Sequence, residues 1–147
     1  MASKTGSCLC GEVEYELAEE PTTYGACHCS MCRKFSGGIE LGIQVPPGGV
    51  RFVPTDKLAV FESSEWAERG FCMLCGSSVF YRFTGEGPYA GMFSISAGTL
   101  EDMSGMTFDT EVYIDNKPDS HSFAGERTRM TEAEVLAAAG VETGGGE

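Results

Sequence analysis

Hydrophobic and polar residues alternate along much of the chain, a pattern typical of half-buried β-strands. Val13, Tyr15 and Leu17 alternate with glutamates, and the segment from Leu41 to Val45 repeats this pattern before a Pro-Pro-Gly-Gly break. Twenty glycines punctuate the chain, as expected for a mainly β domain of short strands. Five further segments are predicted to form strands: Arg51 to Val53, Leu58 to Glu62, Ser78 to Phe83, Tyr89 to Ala97 and Glu111 to Asn116.

Only the end of the sequence has a clear helical pattern. Thr131 and Glu134 have the spacing of a capping box, the run Val135 to Ala139 follows, and Gly140 can end the helix. We therefore predict one domain over residues 1–130, followed by a C-terminal helix and flexible tail over residues 131–147.

Composition limits the classes of function. The 147 residues, 41% of them hydrophobic, suit one domain with a modest core. A net charge of −12 argues against a nucleic-acid partner, because nucleic-acid binding usually requires a basic surface. The sequence has no apolar run near the roughly 20 residues of a membrane span. It begins MASKTGS, without a charged-then-apolar leader, and we expect a cytoplasmic protein.

All seven cysteines lie in three tight clusters, which is metal-ligand spacing. An odd count, and the strained ring that a disulfide within Cys-x-Cys would close, argue against a disulfide framework. A thioredoxin-type redox role for the last cluster lacks the βαβ context that it needs. The clusters are Cys8-x-Cys10, Cys27-x-Cys29-x-x-Cys32 and Cys72-x-x-Cys75.

Seven thiolates divide most simply into a closed site of four ligands and an open site of three. The cluster of three cysteines is the candidate for the open site, although spacing alone leaves other pairings possible. His28 and His121 are the alternative fourth ligands. His28 lies between two cysteines and is expected to point away from their metal, whereas His121 lies in a polar loop and is expected to be solvated.

Four stretches of the chain together resemble the glutathione-dependent formaldehyde-activating enzyme family, whose domain also occurs in centromere protein V. The resemblance runs in order from about residue 6 to residue 118. It implies a β-tent type of fold, in which zinc pins small curved sheets. The stretches are SCLCGEVEYEL at 7–17, CHCSMCRKFSG at 27–37, RGFCMLCGSSVFYR at 69–82 and AGTLED at 97–102.

The resemblance also implies two zinc ions and a reaction, the joining of glutathione and formaldehyde to give S-hydroxymethylglutathione, and its reverse. A zinc ion held by three thiolates is a poorer Lewis acid than one held by histidines, but it suits a fourth thiolate. The implied enzyme is a carbon-sulfur lyase with a small thiol and a small aldehyde as partners. The implied ligands are Cys8, Cys10, Cys72 and Cys75 for a structural zinc, and Cys27, Cys29 and Cys32 for a catalytic zinc.

An anionic peptide thiol that approaches an acidic protein needs local positive charge. Arg33 and Lys34 directly follow Cys32 and are the predicted contacts for the carboxylates of a glutathione-like thiol; Arg69 is a weaker candidate. Aromatic residues near the clusters are expected in the core or in a pocket wall. These are Phe35, Phe71 and Phe93.

Two functions of different classes remain open from the sequence. One is the carbon-sulfur lyase, and the other is a non-catalytic zinc module that binds a thiol or a protein partner in the same pocket. The segment after Pro118 departs from the family, because many members have an aromatic residue there and the nearest one in this chain is Phe123. If that segment forms part of the pocket wall, the choice of substrate differs.

Overall fold

A computed structural model describes residues 1–140, which form two β-sheets and two short helices. The predicted tail at residues 141–147 lies outside the described residues. The helices are α1 (Ser30–Ser36) and α2 (Glu132–Ala139). The strands are β1 (Thr5–Ser7), β2 (Glu14–Leu17), β3 (Thr23–Cys27), β4 (Glu40–Val45), β5 (Val50–Phe52), β6 (Leu58–Ser64), β7 (Ala67–Cys72), β8 (Ser78–Phe83), β9 (Phe93–Ser96), β10 (Thr107–Val112) and β11 (Thr128–Met130).

The smaller sheet is antiparallel, with the strand order β1-β2-β5. The alternation that predicted β2 is confirmed, since Val13, Tyr15 and Leu17 are 0%, 2% and 3% exposed. The intervening glutamates face solvent. The Tyr15 hydroxyl lies 2.7 Å from the Thr99 hydroxyl, so the polar end of this buried ring has a hydrogen-bond partner.

The larger sheet has eight strands in the order β11-β10-β3-β4-β9-β8-β7-β6. Strand β10 pairs in parallel with both β3 and β11, and the remaining pairs are antiparallel. The core lies between the two sheets, where Tyr15 and Leu17 pack in one cluster with Ile43, Val79 and Ile95. The architecture is therefore mainly β with short sheets and a short C-terminal helix, as the sequence predicted.

The sequence did not predict strands β1, β3, β7 and β11, and it predicted only the last two residues of β10. In β7 the residues are buried or half-buried along the whole strand, including the charged Arg69. Strand β3 contains a glycine and has one buried residue, Ala26. Since β7 has no exposed face and β3 has only one buried side chain, neither shows the alternation by which a half-buried strand is recognised.

Three details of the predicted secondary structure were wrong. The segment predicted as a strand from Tyr89 to Ala97 forms a strand only over Phe93–Ser96 (β9), because the residues before it make turn hydrogen bonds. Residues 111–116 do not form one strand: β10 ends at Val112, and Tyr113 takes a left-handed φ of 56° that leads into a 3₁₀ turn at Ile114–Asn116. The C-terminal helix is not the only helix in the described residues. Helix α1 has only seven residues, of which Cys32 alone is buried. A helix this short does not show a helical period of hydrophobic residues in the sequence.

The capping box of α2 is confirmed. The Glu134 amide donates to the Thr131 hydroxyl at 3.3 Å, and the Thr131 amide donates to the Glu134 carboxylate at 2.9 Å. The helix ends at Gly140, one residue beyond Ala139. No helix within residues 1–140 combines the length and apolarity needed to cross a membrane.

Gly70 provides a test of the packing in the large sheet. A Cβ atom added there would overlap the ring of Phe80 on the neighbouring strand, whereas one added at Gly38 would meet no atom within 4 Å. We expect Gly70→Ala to lower the free energy of unfolding by about 1–3 kcal/mol, because the core must shift to accept the methyl group. Gly38→Ala is the matched control and should change it little. Urea denaturation of the metal-loaded proteins measures both, and equal midpoints for the two variants would contradict this packing.

Candidate metal centres and an apolar cavity

Two cysteine turns from distant parts of the chain meet at one point. Cys8 and Cys10 follow β1, and Cys72 and Cys75 lie at the end of β7 and in the turn after it. The amide of Gly76 donates to the carbonyl of Cys72 at 2.8 Å, and the amide of Gly11 donates to that of Cys8 at 3.1 Å. Gly11 and Gly76 have φ angles of 85° and 79°, which a residue with a side chain rarely adopts. The two turns therefore expose their sulfurs in similar ways.

The four sulfurs have the spacing of a tetrahedral metal site. All four lie within 4.8 Å of one another, with 3.6 Å between Cys8 and Cys10 and 3.8 Å between Cys10 and Cys72. Sulfurs bound to zinc at about 2.3 Å lie about 3.8 Å apart in a tetrahedron. The hydroxyl and amide of Ser77 lower the pKa of the Cys75 thiol to about 5, which favours the thiolate form that metals bind. These residues fit a closed site.

The second cluster lies where β3 passes into α1. Cys27 ends the strand, Cys29 caps the helix, and Cys32 lies in its first turn, with the Cys32 amide donating to the sulfur of Cys29 at 3.3 Å. The three sulfurs also lie within 4.8 Å of one another, and in residues 1–140 no histidine, aspartate or glutamate completes the group. Cys29 and Cys32 are each 6% exposed. This cluster fits a metal with one position left for another ligand.

The three thiols of this cluster share their protons unequally. Hydrogen bonds from Cys27 and Cys32 lower the pKa of Cys29, whereas the hydrogen bond to Cys29 raises the pKa of Cys27. The pKa of Cys32 is also raised. One thiolate surrounded by two thiols is therefore the favoured state at neutral pH without a metal, and binding of a metal would release the remaining protons.

His28 does not join the cysteine cluster. Its Nε2 atom lies 2.8 Å from Oε1 of Glu111. The other oxygen of that carboxylate, Oε2, accepts hydrogen bonds from Arg127 at 2.8 Å and Arg129 at 3.0 Å. The expectation that His28 points to another partner is confirmed. The expectation for His121 was wrong, since its Nε2 atom is buried without a hydrogen-bond partner in the described part of the chain.

Arg69 is the cation that the structure places beside the open cluster. It is 4% exposed, and its Nη1 atom donates to the sulfur of Cys32 at 3.4 Å while Nε donates to the hydroxyl of Ser63 at 3.2 Å. The guanidinium also lies over the rings of Phe35 and Tyr81, at 5.5 and 5.1 Å from their centroids. An arginine this deeply buried must be paired, and here its partner is a candidate metal ligand.

Arg33 and Lys34, the cations that the sequence favoured, lie elsewhere. Both are exposed in the last turn of α1, facing away from the buried side of Cys32. Their closeness to Cys32 in sequence suggested contact with a ligand, but a residue one or two positions along a helix projects in a different direction. Arg69 was only the weaker candidate from the sequence, because nothing in the residues around it indicates a contact with Cys32, 37 positions away.

The three-cysteine cluster lines a cavity of about 420 Å³. Burial raises the pKa of the Glu40 carboxyl in its wall, and the Ser96 hydroxyl donates to that carboxylate at 2.7 Å. Of the aromatic residues expected near a pocket, Phe93 lines the cavity, whereas Phe35 and Phe71 contact each other with ring centroids 6.1 Å apart. Other lining residues include Met31, Gln44, Trp66, Tyr81, Phe83, Tyr89 and Met92, with four residues of α2.

Comparison with known proteins identifies relatives of this chain. The family model described as glutathione-dependent formaldehyde-activating enzyme matches residues 3–116. An uncharacterized lyase of Schizosaccharomyces pombe is 30% identical over 140 residues, which cover 92% of this chain and 96% of that protein. A Podospora anserina protein named for glutathione-dependent formaldehyde activation is 31% identical over 67% of this chain, but over only 48% of its own length.

The fold also has a counterpart among solved structures. A crystal structure of a Rhodobacter sphaeroides protein aligns with a TM-score of 0.55 and 21% identity. The alignment covers 71% of this chain and 98% of that one. The likeness supports the arrangement of strands and carries no statement about activity.

The two clusters should respond differently to mutation. Cys72→Ser removes a ligand from the buried four-sulfur site, where a structural zinc contributes folding free energy on the order of 10 kcal/mol, and we expect loss of bound zinc and of cooperative unfolding together. Cys29→Ser should keep the fold and weaken only the second metal. Zinc content by mass spectrometry and urea denaturation measure the two effects. Equal loss of structure in both variants would refute the division between the sites.

Arg69 and Arg33 can be compared directly as partners of the open cluster. We expect Arg69→Gln to weaken metal binding there about 10- to 100-fold, because a hydrogen bond and a positive charge next to Cys32 are lost. Arg33→Gln, a change of the same type at an exposed position, should leave affinity within twofold. Competition with a zinc-binding dye measures both. Equal affinity in the two variants would show that Arg69 has no part in holding the metal.

Proposed function

The chain belongs to the glutathione-dependent formaldehyde-activating enzyme family, and we propose that it is a zinc-dependent carbon-sulfur lyase that joins a glutathione-like thiol to a small aldehyde and catalyses the reverse reaction. The observation that supports this most is the cluster of three thiols in the cavity wall without a fourth protein ligand in residues 1–140. A closed four-sulfur site alone would suit a structural module. An open site in a cavity provides a place for a substrate.

We assign the structural zinc to the four-sulfur cluster and the catalytic zinc to the three-sulfur cluster. The first joins the turns after β1 and β7 and is continuous with the hydrophobic core, because Cys8 and Cys72 are 3% and 0% exposed and belong to the core cluster. The second lies on the wall of a cavity large enough for a small molecule. The ligands are Cys8, Cys10, Cys72 and Cys75 in one site, and Cys27, Cys29 and Cys32 in the other.

Zinc bound to three thiolates would keep the thiol of a substrate deprotonated, and still nucleophilic, at neutral pH. Arg69 supports such a site, because its hydrogen bond to Cys32 fixes one ligand sulfur and its positive charge offsets part of the negative charge of the thiolates. The substrate sulfur forms a bond to the carbonyl carbon, the electron pair of the C=O π bond moves to oxygen, and the oxygen takes a proton. No oxidant or reductant is needed.

Glu40 is the group that we assign to this proton transfer. It lines the cavity together with the three cysteines, and burial raises the pKa of its carboxyl above the usual range. A carboxyl group of that kind can receive the thiol proton and return it to the carbonyl oxygen. Its hydrogen bond from Ser96 fixes one carboxylate oxygen and so orients the carboxyl group in the cavity wall.

The proposal is tested by the rate of adduct formation. The zinc-loaded protein, mixed with glutathione and formaldehyde, should form S-hydroxymethylglutathione faster than the spontaneous reaction, as measured by exchange spectroscopy in NMR. Cys29→Ser should abolish the acceleration. Arg33→Gln should keep the maximal rate at saturating thiol, although it can raise the thiol concentration needed to reach that rate. A protein that holds two zinc ions and gives only the spontaneous rate would instead be the non-catalytic module.

Glu40→Gln tests the proton transfer separately from metal binding. The substitution keeps the shape and the hydrogen bond from Ser96 but removes the exchangeable acid. We expect the zinc content to be unchanged and the catalysed rate to fall about 10²- to 10⁴-fold, the usual contribution of a positioned acid-base group. A rate within twofold of the unchanged protein would remove Glu40 from the mechanism.

A further inference from the structure

The C-terminal helix closes one side of the cavity, although it lies beyond the part of the chain that the family model matches. That match ends at residue 116, and α2 contributes Val135, Leu136, Ala138 and Ala139 to the cavity wall. These side chains are all aliphatic. The segment after the family region therefore forms an apolar part of the wall.

Contacts at both ends hold α2 in this place. At its start, the Glu132 amide donates to the Asp115 carboxylate at 2.9 Å, and the Asn116 side chain donates to the Glu132 carboxylate at 3.0 Å. At its end, a Cβ atom at Gly87 would lie 2.8 Å from the carbonyl oxygen of Ala139, so the 87–88 loop approaches the helix closely. Helix α2 is therefore held in place by residues 115–116 at its start and by residues 87–88 at its end.

The cavity is poorly suited to the charged body of glutathione. Its charged lining residues within the described chain are Glu40, Asp109 and Arg69. The first two repel a carboxylate, and the arginine already bonds to Cys32 and Ser63. The two carboxylates of glutathione would therefore be desolvated without a free cationic partner, which costs several kcal/mol per ion.

The cavity is also much larger than formaldehyde. Formaldehyde is only slightly larger than water, whose share of liquid volume is about 30 Å³, whereas the cavity measures about 420 Å³. A lining that is mainly apolar favours a hydrocarbon body of matching size. Trp66, Tyr89 and Phe93 add aromatic side chains to the lining, and α2 adds aliphatic ones.

We propose that the aldehyde substrate has an aryl or branched-alkyl body, which fills this cavity, while the charged peptide of the thiol remains at the cavity mouth. This inference rests on the proposed lyase function and specifies its aldehyde. The thiol sulfur bonds to the carbonyl carbon, the thiol proton ends on the carbonyl oxygen, and the product is a hemithioacetal whose hydrocarbon group contacts α2. Arg33 and Lys34 are exposed on α1 and are not part of the cavity lining.

Binding of stable adduct analogues tests the proposal without relying on turnover. Calorimetry on the zinc-loaded protein should show S-benzylglutathione binding about tenfold or more tightly than S-methylglutathione, because the benzyl group buries additional apolar surface. In the NMR rate assay, the acceleration over the spontaneous reaction should be greater for benzaldehyde than for formaldehyde.

A pair of neighbouring substitutions locates the effect on α2. Ala138 lines the cavity, whereas Ala137 is exposed and lies outside the lining. We expect Ala138→Phe to weaken S-benzylglutathione binding about tenfold and to leave S-methylglutathione unchanged, because the ring takes up space within the cavity. Ala137→Phe, the same change one residue earlier, should leave the affinities for both analogues unchanged.

The outcomes separate this inference from the lyase function. Acceleration with formaldehyde alone, together with equal affinity for the two analogues, would overturn the aldehyde assignment and leave the lyase intact. No acceleration with either aldehyde would overturn the lyase function and the inference that rests on it. Equal effects of Ala138→Phe and Ala137→Phe would overturn the role of α2.

Discussion

The structure depends most on the meeting of four cysteine sulfurs from two distant turns. Cys10 and Cys72 are 62 residues apart in sequence, yet their sulfurs are 3.8 Å apart. Cys8 and Cys72 are also members of the main hydrophobic core, so the site and the core stabilise each other. Four thiolates at this distance would repel strongly without a cation. A bound metal turns that repulsion into a link between the small sheet and the large one.

The three-sulfur cluster has a different electrostatic balance. Three thiolates and one divalent zinc carry a net charge of −1, which the buried Arg69 beside Cys32 can offset. With a zinc ion held there, a fourth thiolate would meet a centre that is locally near neutral, although the protein as a whole carries a net charge of −12. Such a balance would let an acidic protein accept an anionic substrate sulfur. The pairing of Arg69 with Cys32 also explains why a buried arginine is tolerated in β7, where desolvation of an unpaired charge would be costly.

The sequence was informative where chemistry or burial leaves a local signature. The cysteine spacing predicted three local clusters with metal-ligand character, and the alternation of Val13, Tyr15 and Leu17 predicted β2, because each depends on residues close in sequence. Which clusters share a metal was implied by the resemblance to the family and not by the spacing, since Cys10 and Cys72 are 62 residues apart. Arg69 was ranked below Arg33 and Lys34 because its contact with Cys32 joins residues 37 positions apart. Such a contact follows from the pairing of strands and leaves no local pattern. Strand β7 shows no alternation for a different reason, because both of its faces are covered.

The division of the chain suggests how chemistry and substrate choice are separated. The region that the family model matches contains all seven cysteines, Glu40 and Arg69, and therefore the groups that would carry out carbon-sulfur bond formation. Helix α2, beyond that region, adds only aliphatic side chains to the cavity wall. A change in this helix can alter the shape and polarity of the cavity without touching a metal ligand. On the proposed function, the matched region would hold the reacting groups, whereas α2 would limit which hydrocarbon group fits beside them.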